Sequence, residues 1–211
     1  MKQGAQSIQG FFIPVLFAIP VLFAPAARGE QPSAAATAGF NSYTGTVEAR
    51  MAQQHTSTAG FVAGISAPQT VARLRGGETI VERITPANGD SLPGATIYHW
   101  RGTAFVPGAT AADFERLMRD YKTYPQRYAP QVEWARVLAH DGDRYQITMR
   151  VRQKHVITVT MDTAYDVNFR RLDAKRGSSI SRSTRIDEID SSGKALTPAQ
   201  EHGFLWRLDS Y

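Results

Sequence analysis

Beyond Pro130 the apolar positions recur every second residue and polar ones fill the gaps. That is the period of a strand with one dry face. Residues 131–139 and 144–152 flank His140-Asp141-Gly142-Asp143, where Asp-Gly supplies the positive φ angles a tight hairpin needs. In the second arm Tyr145, Ile147, Met149 and Val151 are expected on one face and Gln146, Thr148, Arg150 and Arg152 on the other. Residues 156–169 alternate likewise, with Ile157, Val159 and Met161 opposite Thr158, Thr160 and Asp162. Residues 178–188 and 203–211 predict two more strands, separated by a polar loop over 190–200.

Upstream the rhythm is different. Residues 95–106, ATIYHWRGTAFV, are aromatic and β-branched and predict a strand closed by Pro107-Gly108. Thr110 then stands three residues before Asp113, the spacing of a capping box. Phe114, Leu117, Met118 and Tyr121 follow at i, i+3, i+4 and i+7, so a helix packed by that face is expected. After it, Tyr121, Tyr124 and Tyr128 recur where Pro125 and Pro130 restrict the chain. One amphipathic helix followed by a succession of strands predicts an α+β fold with a curved antiparallel sheet.

The first part of the chain carries weaker signals. Lys2 precedes an apolar stretch over 11–24, and Ala24-Pro25-Ala26 follows it. This is the outline of a secretory signal peptide over residues 1–26. The stretch is shorter than the ~20 residues a membrane span needs, and Pro14 and Pro20 interrupt it. Residues 27–42 are rich in Ala, Ser, Thr, Gly and Pro and predict a disordered leader. A short helix over 46–54, with Val47 and Met51 four apart, and a strand over 78–85 come next. Thus 27–94 reads as a flexible leader and 95–211 as the main domain, with the turn-rich stretch 86–93 before it.

Charge and cysteine content narrow the function classes. The absence of cysteine excludes a lipoprotein anchor, a disulfide framework and thiolate metal sites. With export, it places the protein in a periplasm-like compartment. The formal net charge is +5. Nine cations fall between Arg150 and Arg185: Arg150, Arg152, Lys154, Arg170, Arg171, Lys175, Arg176, Arg182 and Arg185. Such a face is ordinarily solvated, and it can also hold a protein transiently at an anionic membrane surface. Nucleic acid is not the expected partner of an exported protein.

No catalytic constellation emerges from spacing. His55, His99, His140, His155 and His202 contain no i, i+4 pair and no HExxH, so no metal site is expected. Ser178, Ser179, Ser181 and Ser183 lie outside any GxSxG elbow and read as sheet surface. Asp162 and Asp166 are ~13 Å apart along a strand, too far for a close acid/base pair. Gly76-Gly77 reads as a turn, and no cofactor-binding loop is evident. His99 is the histidine expected nearest a cavity. The aromatic and thioether residues Trp100, Tyr145, Met149, Met161 and Trp206 lie in predicted strands where alternation directs them to one face.

The succession resembles the START-like or helix-grip superfamily, also called SRPBCC. The residues carrying the resemblance are AFVPGAT at 104–110, DFERLMRDY at 113–121, Tyr124-Pro125, Pro130-Gln131-Val132 and DGDRYQITMRV at 141–151. It covers residues 95–211. It implies a sheet wrapped around a long C-terminal helix, with an apolar cavity between them. HGFLWRLDSY at 202–211 then looks like the penultimate strand, and the helix grip is expected to be incomplete in a fragment. The implied function is non-catalytic binding of a hydrophobic small molecule or lipid. Trp100, Tyr145, Ile147, Met149, Ile157, Val159, Met161 and Trp206 would line the site, and Arg150 or Arg182 would orient an acidic headgroup. The alternatives are a cyclase- or hydrolase-like enzyme using His99, and a scaffold completed by a partner.

Overall fold

In the computed structural model, which describes residues 32–57, 60–86, 89–154 and 158–211, the two-residue rhythm becomes one antiparallel meander. Its strands are β5 (Val132–Asp141), β6 (Arg144–Lys154), β7 (Thr158–Arg171), β8 (Gly177–Ile189) and β9 (Asp209–Ser210), hydrogen-bonded in that order. The β5–β6 hairpin closes through Gly142 at φ +54°, a backbone conformation that glycine adopts without strain. The signal-peptide expectation lies outside the described residues. Among the described residues no helix is long and apolar enough to cross a membrane.

The predicted helix is α3 (Ala111–Arg119). Thr110 and Asp113 form both halves of the capping box. One departure concerns its face. Phe114 is 61% exposed, and no residue of the helix is fully buried. Met118 of the predicted face does pack against the core, and charge adds to the tether: Arg119 reaches Asp143 at 2.5 Å and Glu115 at 2.6 Å, and Arg171 of β7 pairs with Glu115. Next come a 3-10 turn, Tyr121–Thr123, and α4 (Tyr124–Arg127), where Tyr121 and Tyr124 turn inward. Tyr124 Oη donates to the Met118 carbonyl at 2.7 Å, so its hydroxyl enters the core with a partner.

Three expectations are corrected before β5, and one helix there was not foreseen. Residues 34–42, expected to be disordered, are the start of α1 (Ala34–Thr56). The helix is favoured by its alanines and capped by Ser33, whose hydroxyl accepts from the Ala36 amide at 3.0 Å. Gly39 permits close approach there, since a Cβ would lie 2.7 Å from Leu92. A second helix, α2 (Pro68–Arg75), has proline in its first turn. The strand expected over 78–85 is the shorter β1 (Ile80–Arg83). The single strand expected over 95–106 is divided into β3 (Ala95–Thr96), which pairs with β2 (Ser91–Leu92), and β4 (Trp100–Thr103), which pairs with β1. Neither belongs to the main sheet.

At the far end, the strand expected over 203–211 contracts to β9. The ladder with β8 holds at Ser181–Ser210 and Arg182–Asp209, and Ser183 exchanges hydrogen bonds with Leu208. Residues 201–208 follow β8 without laddering to it, because a side chain takes their amides. Glu188 accepts from the amides of His202 at 3.0 Å and Phe204 at 3.2 Å. Gly203 turns the chain between them at φ +69°.

Candidate ligand-binding face

The register places the sheet's apolar face residue by residue. Tyr145 pairs with Val167, Ile147 with Tyr165, Met149 with Thr163, Val151 with Met161, and Gln153 with Val159. Val132, Ala135 and Val137 of β5 extend the face past β6. On β8, Ser179, Ser181 and Ser183 lie opposite Phe169, Val167 and Tyr165. A bulge at Thr184 then shifts the alternation by one residue, so Ile186 and Glu188 join the same face opposite Thr163 and Met161.

Five of the eight predicted lining residues, Tyr145, Ile147, Met149, Val159 and Met161, come together on this face. Ile157 lies outside the described residues. Trp100 is elsewhere, on β4 of the small ribbon, with its indole Nε1 buried and without a partner among the described residues. Trp206 is half-buried in the segment 201–208, where its ring packs on Gly203. The helix-grip expectation had put all of these in one sheet.

The face is filled at its centre. Met161, 2% exposed, and Ile147, Met149, Tyr165 and Phe169 form one core cluster with Tyr121 and Tyr124. Tyr121 meets Tyr145 with ring centroids 5.8 Å apart, and Phe169 meets Tyr145 edge-on at 5.7 Å. The Arg119 guanidinium sits 4.4 Å from the Phe169 centroid. Leu205 and Leu208 of the segment 201–208 complete the cover. Burial drives the Tyr121 and Tyr124 hydroxyls well above the usual phenol range, so both stay neutral.

Of the serines expected at the sheet surface, Ser178 pairs with Arg170 on the outer face, whereas Ser179, Ser181 and Ser183 belong to the apolar one. Ser183 is buried, and Ser179 and Ser181 are half-buried beside large apolar neighbours. Their hydroxyls have no hydrogen-bond partner among the described residues, whereas the Ser183 hydroxyl accepts from Leu208. The amide nitrogen of Gln153, on the same face, is also buried without a partner among the described residues. Alternation with Phe169, Val167 and Tyr165 was the signal for the serines, hidden because it crosses between strands.

Two surface clefts lie away from the eight predicted residues. One, of about 410 Å3, is lined by Glu115, Arg116, Arg119, Asp120 and Arg171 around α3. The other, of about 460 Å3, lies between residues 61–65 and 173–176. The hollow expected between sheet and helix therefore has no counterpart at either place.

The charged and titratable residues resolve into pairs. Arg150 makes two hydrogen bonds to Asp162, at 2.6 and 2.8 Å, and Arg182 meets Glu48 of α1 at 2.5 Å. Arg171, Arg176 and Arg185 also pair with acids, so five of the nine cations between 150 and 185 are locally neutralised. Arg150 and Arg182 share the face opposite Met149 and Ser181, so neither points to the apolar side. His99 does not meet the sheet's apolar face. Its Nδ1 lies 2.6 Å from the Tyr43 hydroxyl of α1, and burial, then Arg50 and Arg101, holds its pKa below the usual 6.5. His202 presents the clearer geometry. Its Nδ1 is 2.9 Å from the buried Glu188 carboxylate, and the ring stacks on Phe204 with its other edge exposed. Among the described residues no cluster of three or more potential ligands could hold a metal ion.

Comparison of the chain with protein-family models, curated proteins and solved structures finds no match. The α+β class and the antiparallel five-stranded sheet are present in the structure itself.

Proposed function

We propose that this is an exported START-like protein that holds a hydrophobic small molecule or lipid against the apolar sheet face without chemically changing it. The carrying observation is the composition of that face. Tyr145, Ile147, Met149, Val159 and Met161 supply a broad apolar floor, and Ser179, Ser181 and the Gln153 amide, without hydrogen-bond partners among the described residues, supply a few polar anchors at its margin. Apolar walls with sparse donors are the composition of small-molecule sites. In this reading the guest takes the place of Leu205 and Leu208, entering as residues 201–208 lift from the sheet. Native mass spectrometry of the protein purified from its own host is expected to show a co-purifying apolar molecule, and Ser181→Leu, which fills the serine row, to release it. Protein that is folded and consistently empty would overturn the proposal.

A second reading is favoured by one specific geometry, the carboxylate-oriented imidazole of His202. A cyclase- or hydrolase-like enzyme needs a positioned base, and Glu188 positions this ring. Turnover of an apolar ester that is lost in His202→Ala, with the fold intact, would favour that reading over simple binding.

A further inference from the structure

Residues 60–66, GFVAGIS, connect α1 to α2 and belong to neither helix. Their apolar side chains nonetheless gather at one end of the molecule beside the β7–β8 turn. Val62 is 45% exposed at the tip. Phe61 is fixed behind it, with its ring 5.5 Å from His55 and 5.5 Å from the Arg176 guanidinium. Arg176 is anchored in turn by Asp173 at 2.6 Å and by the Ser57 carbonyl at 3.1 Å. The exposed apolar tip is thus tied to the sheet through a charged turn.

The surrounding charge is one-sided. Arg170 and Lys175 are exposed and make no ion pair among the described residues. Asp173 is the one acid lining this cleft, and it is spent on Arg176 and on the amides of Lys175 and Arg176. His55 reports the same field, since burial and then Arg170 and Arg176 hold its pKa below the usual value. An apolar tip beside Arg170 and Lys175, two cations unpaired among the described residues, meets both requirements of interfacial attachment: apolar side chains for the acyl boundary and positive charge for the headgroups.

We propose that this end of the molecule, built from Phe61, Val62, Ile65, Arg170, Lys175 and Arg176, docks onto an anionic lipid bilayer. An acidic protein would use the cations and leave Val62 idle. The surface lies apart from the apolar sheet face, so ligand retention and membrane docking can fail independently.

The test is vesicle co-sedimentation of the full chain with phosphatidylcholine alone and with an equal mixture of phosphatidylcholine and phosphatidylglycerol. The parent is expected to partition more strongly onto the mixed vesicles. Lys175→Ser and Arg170→Ser should each weaken this by about five-fold, at the usual contribution of a cation near the surface. Val62→Ser should weaken it by about ten-fold, and high salt should remove the effects of the two cation variants while leaving that of Val62→Ser. All three residues are exposed, so circular dichroism should be unchanged. If the three variants bind mixed vesicles as the parent does, attachment belongs to another part of the chain, residues 11–24 included, and the proposal is overturned. It is overturned equally if the parent ignores anionic lipid, or if both cation variants weaken binding while Val62→Ser does not.

Discussion

The chain before Phe105 and the chain after it are held together in different ways. In the first region the buried apolar residues Ala36, Val47, Leu74 and Ile97 are scattered over two helices and a loop. Long-range polar links tie its pieces to one another, Ser33 to the Pro93 carbonyl and Tyr43 to His99, and Glu48 to Arg182 joins them to the sheet. In the second region ten buried residues, from Tyr121 to Phe169, form one cluster. Contiguous burial resists opening as a unit, whereas isolated contacts and half-exposed ion pairs contribute little each. The sheet is therefore the stable body of the molecule, and α1 with its small ribbons leans on it.

The contrast can be broken most forcefully in the cluster. Tyr124→Ala should cost about 3–5 kcal/mol, the range for removing a buried aromatic. Val47→Ala should cost only about 1–2 kcal/mol, from the two carbons removed. Denaturant unfolding checks both. Hydrogen exchange should show the amides of α1 opening well before those of β6 and β7, and equal protection in the two regions would contradict the comparison.

Glu188→Ala should have the next largest effect, about 2 kcal/mol, because it strips the carboxylate acceptor from the partly buried amides of His202 and Phe204. Protease should then cut within residues 201–208 faster than within the β5–β6 hairpin. Equal cleavage of the two would show that Leu205 and Leu208 hold the segment without the carboxylate.

The smallest effect is on pH dependence and belongs to the first region. His99 and His55 both have folded pKa values below the ordinary 6.5, so the unfolded chain takes up these protons first as the pH falls. Their contribution is complete above 6.5 and is lost as the pH drops below 6.5 toward the folded values. His99→Asn should flatten part of this acid-side loss in chemical denaturation, and an unchanged slope would mean that the imidazole is not held neutral by its burial and by the nearby Arg50 and Arg101.

What could be read from the sequence follows the same division. Alternation in β6 and β7 was legible because each strand buries one face, so the pattern of Tyr145, Ile147, Met149 and Val151 mirrors the environment directly. The cap at Thr110 was legible because capping depends on residues three apart. The reading failed where structure depends on distant partners. Alanine-rich α1 buries only Ala36 and Val47 and leaves no periodic stripe. Trp100 was assigned to the main sheet, but strand membership is decided by pairing with β1, some twenty residues upstream. The serines of β8 look like a polar surface until Val167 and Phe169 are placed opposite them. Of the candidate site, the apolar floor was visible and its polar margin was not.

The outermost strand of the sheet has a further consequence. β5 is ten residues long and has no strand on its other side among the described residues, while Val137 and Leu138 are exposed. A flat border of that length invites a neighbouring chain to zip on and seed fibrils. Here the register slips twice, between Val132 and Trp134 and again between Val137 and Ala139. The spacing of free amides and carbonyls is thereby spoiled for a regular incoming strand. The irregular rim gives the molecule a safeguard against self-templating in a crowded compartment.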